Sequence, residues 1–150
     1  MKLDPGVAVF LDTSLVVAAT VEVHPSHKAA ADFVDDLVSG VAQPCISPQI
    51  CREFLVVLTR QPVSGRVFSR DEAIAALQVW VTGCVMLGED EVSVHECVRL
   101  VRQQAVLGKQ VHDCNIVATM LAHGVRRLAT RNPGDFKRFH SEVSVVAVLD

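Results

Sequence analysis

The sequence has no apolar run long enough to cross a membrane, although half of its 150 residues are hydrophobic and its mean hydropathy is +0.34. The mostly apolar run at residues 15–21 is far shorter than the roughly 20 residues that a spanning helix needs. At the N-terminus, the apolar stretch that follows Lys2 and Asp4 stops at Asp12, which is too short and wrongly bounded for a signal peptide. We therefore expect a cytoplasmic protein that makes no membrane contact.

Cysteine pairs with the spacing of a zinc or redox motif are also missing. None of the five cysteines belongs to a Cys-x-x-Cys pair, and they sit in stretches that contain many apolar residues. They are Cys45, Cys51, Cys84, Cys97 and Cys114. A chain of this length can bury a core without disulfides, so we expect buried free thiols. His24 and His27 come nearest to a metal-binding pair, but they flank Pro25 and Ser26 in a predicted loop, and we favour an ordinary loop role for them.

The chain lacks the positive total charge that many nucleic-acid-binding proteins carry. It has 14 Lys and Arg against 17 Asp and Glu, a formal net charge of −3. A local basic cluster does occur near the C-terminus, and it is as compatible with a solvated surface as with phosphate contacts. The cluster consists of Arg126, Arg127, Arg131, Lys137 and Arg138. No Gly-rich loop follows the first predicted strand, which argues against a flavodoxin-like phosphate or nucleotide binder.

Short apolar strands alternate with helices along the chain, a pattern typical of a parallel α/β fold. Strands are predicted at residues 7–11, 45–46, 84–87, 127–130 and 143–149. Helices are predicted from residue 13, at 28–38, 48–60, 70–82, 93–107 and 111–123, the fourth with a Ser69–Glu72 capping box. There are no repeats or linkers, and we expect a single domain over residues 1–150.

Two acidic residues stand where this pattern makes them unusual. Asp12 ends the first strand, and functional groups in parallel α/β sheets gather at the carboxyl ends of strands. Its ordinary alternative is to cap the following helix. Glu53 lies on or beside the apolar stripe of helix 48–60, where a carboxylate needs a partner or a cation. Arg52 and Arg60 are candidate partners, but neither shares the stripe well.

Two further acids fit the same site. Asp113 precedes Ile116 and Val117 by three and four residues, so it extends an apolar stripe in the first turn of its helix. Asp135 follows the strand at 127–130 and could cap a short turn at 136–139. Clustered carboxylates raise one another's pKa unless a hard cation lies between them, and oxygen ligands favour magnesium or manganese over zinc. If the four acids converge, they predict a metal site.

Four short motifs contain these acids. They are Phe10-Leu11-Asp12-Thr13-Ser14, Arg52-Glu53-Phe54, His112-Asp113-Cys114-Asn115-Ile116-Val117-Ala118 and Thr130-Arg131-Asn132-Pro133-Gly134-Asp135-Phe136. Each alone is weak, but four in this order, with helices between them, are specific. Together they resemble PIN-domain nucleases, and the match is closest to VapC-type toxins of bacterial toxin–antitoxin pairs. The resemblance covers nearly the whole chain and implies a three-layer α/β/α sandwich with a central, mainly parallel sheet.

The resemblance also implies a catalytic metal site. Asp12, Glu53 and Asp113 would bind Mg²⁺, directly or through water, and Mn²⁺ could replace it. Asp135 would be the fourth ligand, with Asn132 close enough to share or take over part of its role. The implied activity is magnesium-dependent hydrolysis of RNA phosphodiester bonds by an endoribonuclease.

Other residues of the motifs have supporting roles in the family that the chain resembles. The hydroxyls of Thr13, Ser14 and Thr130 would orient the acidic cluster, and Arg131 would contact phosphate. Cys114 stands where the family often has a small residue such as alanine. A small, apolar thiol fits such a position.

The resemblance implies three partners: an RNA substrate, a second copy of this chain in a homodimer, and a small antitoxin that occupies or distorts the acidic pocket. The helix at 28–38 and the stretch at 72–81, which contains Trp80, could supply binding surfaces, although Trp80 is the kind of residue more often found in a core. Two alternatives stay open. One is a PIN nuclease that processes RNA without an antitoxin, and the other is a non-catalytic α/β binding module.

Overall fold

The computed structural model describes residues 2–150, in which one five-stranded sheet is packed against helices on its faces. The strands are β1 (Ala8–Leu11), β2 (Gln43–Ile46), β3 (Val85–Met86), β4 (Arg127–Thr130) and β5 (Ser144–Ala147). The helices are α1 (Thr13–Thr20), α2 (His27–Ser39), α3 (Pro48–Arg60), α4 (Arg70–Gly83), α5 (Glu91–Gln103) and α6 (Gln110–Ala122), with a 3₁₀ helix at Pro133–Phe139. The predicted α/β/α sandwich is confirmed.

The sheet has the strand order β3-β2-β1-β4-β5, and each recorded pairing is parallel. β1 is therefore the central strand, and all four of its residues are buried. In a parallel sheet both faces are covered by helices, which explains why β1 is a continuous apolar run rather than an alternating one. β5 lies at an edge and is only partly buried. The central position of β1 places Asp12 in the middle of the carboxyl edge of the sheet.

The core lies between the sheet and its helices. Phe10 of β1, Phe54 of α3, and Phe136 and Phe139 of the 3₁₀ helix are among its largest fully buried side chains. The two phenylalanines of the 3₁₀ helix attach the segment after β4 to the core. That attachment fixes the position of Asp135, which lies in the first turn of the same helix.

Some predicted element boundaries were wrong. α5 begins at Glu91 because Asp90 and Ser93 cap it reciprocally, and it ends at Gln103, before Ala105 takes a positive φ of 50°. The prediction of a helix at 93–107 missed both ends. Asp135 does not cap a turn at 136–139, because the 3₁₀ helix begins earlier, at Pro133, with Asn132 before it. No helix in the described part of the chain is long and apolar enough to cross a bilayer.

Candidate active site

Asp12 is a buried carboxylate, 7% exposed, at the carboxyl end of β1. It precedes α1, but its side chain makes no capping hydrogen bond to that helix. Instead its Oδ2 accepts hydrogen bonds from Ser14 Oγ at 2.8 Å and from Thr130 Oγ1 at 2.7 Å. The alternative prediction, that the side chain of Asp12 caps α1, is therefore wrong. The hydroxyls of Ser14 and Thr130 thus fix the orientation of its carboxylate.

The pKa of Asp12 is raised above its usual value, chiefly by burial and also by the negative charge of Glu53. The hydrogen bonds from Thr130 and Ser14 favour the ionised form and oppose that rise. The structure thus holds Asp12 in a fixed orientation, in an environment that disfavours its charge. A cation beside it would reverse that penalty.

Glu53 finds its partners in uncharged side chains. Thr13 Oγ1 donates a hydrogen bond to Glu53 Oε2, and Gln49 Nε2 donates to Oε1 at 2.8 Å. Neither candidate arginine pairs with it: Arg52 lies 3.9 Å from Glu89, and Arg60 is exposed. A half-buried carboxylate held by neutral donors keeps its negative charge available to a metal ion.

Gln49 and Asn115 belong to the site, and sequence reasoning gave them no role. Gln49 is 5% exposed; its Nε2 also donates to the backbone carbonyl of His112 at 2.9 Å, and its Oε1 accepts from Asn115 Nδ2 at 2.7 Å. The network therefore joins α3, which carries Glu53, to α6, which carries Asp113. The signal in the sequence was a glutamine one helical turn before Glu53, on the same face.

Asp113 lies half-buried in the first turn of α6. Burial raises its pKa to about 6, and the charges of Asp135, Asp12 and Glu53 add to the rise, while His112 opposes it. No residue among 2–150 donates a hydrogen bond to its carboxylate. The other three predicted acids thus all lie near enough to Asp113 to disfavour its ionisation, and Asp135 is exposed at the rim.

The four acids are near neighbours rather than a closed cage. Within residues 2–150, no three His, Cys, Asp or Glu side chains are arranged to hold a metal ion among them. The donor set still suits a hard cation, because it consists of carboxylate oxygens, one of which is half-buried without a recorded donor. Mg²⁺ often binds through one or two carboxylates and keeps several water ligands, so it does not need a closed protein cage.

Three arginines of the basic cluster donate hydrogen bonds to backbone carbonyls. Arg126 donates to the carbonyl of Glu142 at 3.1 Å and Arg127 to that of Gly6 at 2.9 Å. Arg131 Nη1 donates to the carbonyl of Val148 at 2.9 Å and lies 3.4 Å from a carboxylate oxygen of Asp150. These contacts fix the positions of the three guanidinium groups, which keep their positive charge.

The remaining predicted groups have ordinary surroundings. The backbone N–H of Asn132 donates to Thr130 Oγ1 at 3.0 Å, and its side chain is exposed next to the acidic cluster. His24 Nδ1 accepts from the backbone N–H of Ser26, and His27 Nδ1 contacts the carbonyl of Ala18. The two histidines are therefore not arranged as a pair of metal ligands.

The cysteines are all free thiols, as predicted, but only three are fully buried. Cys45, Cys84 and Cys114 are buried, whereas Cys51 and Cys97 are partly exposed. Cys114 packs between α5 and α6, with its Sγ 3.8 Å from the carbonyl oxygen of Cys97. The thiol next to Asp113 is therefore part of the core and not of the acidic cluster.

Comparison with known protein families decides the identity of this arrangement. The family model described as "PIN domain" matches residues 9–141, which include all four acids. The chain belongs to the PIN-domain family. No curated protein matches the sequence.

Solved structures with the same fold as this PIN domain include several toxin–antitoxin proteins. VapBC2 from Rickettsia felis, bound to a promoter DNA fragment, has a TM-score of 0.70 and 14% identity, with 93% of this chain and 98% of that chain covered. A toxin–antitoxin complex from Klebsiella pneumoniae has a TM-score of 0.66 and 16% identity over 95% and 98%. VapC20 from Mycobacterium tuberculosis, a Sarcin-Ricin loop cleaving toxin, has a TM-score of 0.64 and 17% identity over 91% and 96%.

Proposed function

We propose that this PIN domain is a metal-dependent endoribonuclease that hydrolyses RNA phosphodiester bonds, with Mg²⁺ as its ion and Mn²⁺ as a possible substitute. The observation that carries the proposal is Asp113, a half-buried carboxylate whose pKa rises to about 6 because it is buried near three other carboxylates. A fold tolerates such a concentration of negative charge when a cation compensates it. The ion would be held by Asp12, Asp113, Glu53 and Asp135, directly or through water.

Each residue of the site has a definite task in this reaction. When bound, the ion polarises the scissile phosphate and lowers the pKa of a water molecule. Ser14 and Thr130 hold Asp12 in one orientation, and Thr13 and Gln49 do the same for Glu53. Such fixed carboxylates need no reorganisation when charge develops in the transition state.

The proposed biological role is that of the toxin in a toxin–antitoxin pair. Proteins with this fold include VapBC complexes and a toxin that cleaves the Sarcin-Ricin loop, which supports an RNA substrate and an antitoxin partner for this chain. We further propose a cytoplasmic homodimer of single-domain chains, residues 1–150. The outer surfaces of α2 and α4 are candidate contact surfaces, although Trp80 of α4 is partly buried and donates to Thr20 Oγ1 at 2.8 Å.

The test is cleavage of total cellular RNA by the purified protein, free of any partner. Wild type should give discrete fragments with Mg²⁺ or Mn²⁺ and none with EDTA, and Asp113→Asn should lower the cleavage rate by at least about a hundredfold. Asp35→Asn, which removes an exposed carboxylate from α2, is the matched control and should cleave like wild type.

The same assay discriminates the alternatives. Folded wild-type protein that cuts no RNA with either ion would favour the non-catalytic binding module. Co-expression with a small protein encoded by an adjacent gene tests the second alternative. If that protein leaves RNA cleavage unaffected, the result would favour an RNA-processing nuclease without an antitoxin.

A further inference from the structure

A cavity of about 470 Å³ lies next to the acidic cluster. Its volume falls within the range of about 300–1,000 Å³ that is usual for small-ligand sites. One wall contains Thr13 and Ser14, whose hydroxyls bind Glu53 and Asp12. Any molecule in this cavity would therefore be adjacent to the proposed catalytic carboxylates.

Arg131 supplies a fixed positive charge to the cavity. Its side chain is only 16% exposed, and Nη1 is held by the Val148 carbonyl and by Asp150. Within residues 2–150, Nε and Nη2 have no recorded acceptor, so the guanidinium keeps donors for a ligand. Arginine donors held in this way suit phosphate oxygens.

His24 and Asn132 add neutral hydrogen-bonding groups to the cavity. Because His24 Nδ1 accepts from the Ser26 backbone N–H, the neutral ring carries its proton on Nε2 and can donate from it. Partial burial, and then the nearby charge of Arg131, lower the pKa of His24, which favours this neutral form. The side-chain amide of Asn132 has no recorded hydrogen-bond partner in the described part of the chain and can both donate and accept.

The remaining lining is apolar. Val17 of α1 and Val57 of α3 contribute side chains to the cavity. A site that combines one fixed cation, neutral donors and acceptors, and aliphatic side chains matches the parts of a nucleotide, namely phosphate, base edge and base face.

We propose that this cavity is a subsite for the nucleotide next to the scissile phosphodiester bond of an RNA substrate. Arg131 binds its phosphate, the base packs on Val17 and Val57, and His24 and Asn132 contact the base edge. The inference rests on the proposed nuclease function and deepens it, because these contacts select the RNA position that is cut.

The first experiment measures binding without cleavage. Fluorescence anisotropy would follow a fluorescein-labelled, random-sequence RNA hexamer binding to the Asp113→Asn protein in EDTA. That background removes one carboxylate that repels phosphate, and it leaves no metal for catalysis. Further substitutions in it are Arg131→Gln and His24→Ala, with Arg102→Gln as the matched loss of an exposed arginine that does not line the cavity.

The subsite predicts a weaker complex for both cavity variants. Arg131→Gln should raise the Kd about tenfold, and His24→Ala about three- to tenfold, as expected for the loss of one charge-assisted and one neutral contact. Arg102→Gln should stay within about twofold of its parent. Because Arg131 also holds the end of β5 in place, a thermal unfolding curve of each variant would show that it is folded, and His24→Ala does not share this structural role.

The second experiment sequences the ends produced from a randomised RNA with Mg²⁺ and an intact Asp113. His24→Ala should change the base preference at the nucleotide beside the cut, while Arg102→Gln should leave it as in wild type. A random-sequence RNA that binds the parent, but binds both cavity variants equally well, would overturn the subsite, as would an unchanged cleavage profile.

The two proposals can fail separately. If wild type cleaves RNA but the cavity variants bind and cut as it does, the subsite is wrong and the nuclease stands. If the parent binds RNA through Arg131 and His24 but wild type cleaves nothing with Mg²⁺ or Mn²⁺, the proposed catalysis is wrong and the binding site stands. Absence of any RNA binding by the parent would overturn the subsite.

Discussion

The carboxylates of Asp12 and Asp113 differ in their burial and in their hydrogen bonding. Asp12 is buried, yet two hydroxyls donate to it and partly offset the cost of its charge. Asp113 is half-buried, with no recorded donor, and is surrounded by other acids that raise its pKa to about 6. The fold therefore disfavours the ionisation of Asp113 when no cation is present.

Replacing Asp113 by asparagine should therefore stabilise the protein while abolishing its proposed activity. The pKa of Asp113 in the folded protein lies above its ordinary value of 3.8, so the ionised form destabilises the fold increasingly as the pH rises from about 4 to about 6. The full difference corresponds to about 3 kcal/mol, and solvent screening of a half-buried group reduces it to about 1–2 kcal/mol at pH 7. Urea unfolding in EDTA at pH 7 and pH 4 measures the change.

The pH dependence distinguishes this effect from a general gain in stability. Asp113→Asn should raise the free energy of unfolding at pH 7 and leave it nearly unchanged at pH 4, where the native carboxyl is protonated. Asp35→Asn, at an exposed position, should change it at neither pH. A variant less stable than wild type at pH 7 would contradict the electrostatic account of Asp113.

The cysteines give a second prediction at the scale of single residues. Burial raises the pKa of Cys45 to about 11 and those of Cys84 and Cys114 to about 12. At pH 8 these thiols should react with a chromogenic disulfide reagent at least about a hundredfold more slowly than in unfolded protein, because the thiolate is the reactive form. Absorbance traces in buffer and in guanidinium would show this, and five equally fast thiols in native protein would refute it.

Sequence reasoning singled out the four acids and three hydroxyl residues, but it gave no role to the amide side chains of Gln49 and Asn115. An aspartate at the end of an apolar strand, or a glutamate on an apolar helix face, is conspicuous because burial of a charge is costly. Gln49 and Asn115 are ordinary residues of amphipathic helices, and their roles depend on how α3 packs near α6. Such a contact between distant elements leaves no local pattern in the sequence.

At the scale of elements, two serines that precede helices differ in what they do. Ser69 accepts a hydrogen bond from the backbone of Glu72 and completes the predicted capping box of α4. Ser47 precedes α3, but its buried Oγ has no hydrogen-bond partner in the described part of the chain. The same residue type in the same position thus contributes to stability in one helix only.

Replacing Ser69 or Ser47 by alanine should show that the two serines contribute differently to stability. Ser69→Ala should lower the free energy of unfolding by about 1 kcal/mol, the usual effect of losing a cap. Ser47→Ala should change it by less than about 0.5 kcal/mol, because the hydroxyl it removes makes no hydrogen bond. Chemical denaturation of both variants measures the difference, and an equal loss in the two would indicate that Ser47 caps α3 in solution.

Helix ends were the least predictable part of the elements. The first residues of α4 and α3 could be predicted from local signals, namely the capping box of α4 and the proline at position 48, where α3 begins. The start of α5 was predicted too late because Asp90, rather than Ser93, is the first member of its cap. Its end was predicted too far along because Ala105 adopts a positive φ that an apolar sequence does not foreshadow.

At the scale of the whole molecule, the charge of the chain predicts an unusual dependence on salt. The net charge is −3, and the proposed subsite contains one fixed guanidinium, that of Arg131, so we expect contacts to only two or three phosphates. Binding of single-stranded RNA should show a slope of log K against log salt of about −1.4 to −2, equivalent to two or three phosphates. Anisotropy titrations at several salt concentrations measure this slope, and a slope steeper than about −4 would contradict so small a number of phosphate contacts.

The strand order also determines when, during synthesis of the chain, the proposed site can assemble. β1 is made first, but its partner β4 and the hydroxyl that orients Asp12 come from residues 127–130, after more than four-fifths of the chain. While a ribosome is still translating the earlier segments, the acids have no common framework and Asp12 has no Thr130. A nascent chain therefore cannot assemble the proposed site until the segment that contains β4 has been synthesised.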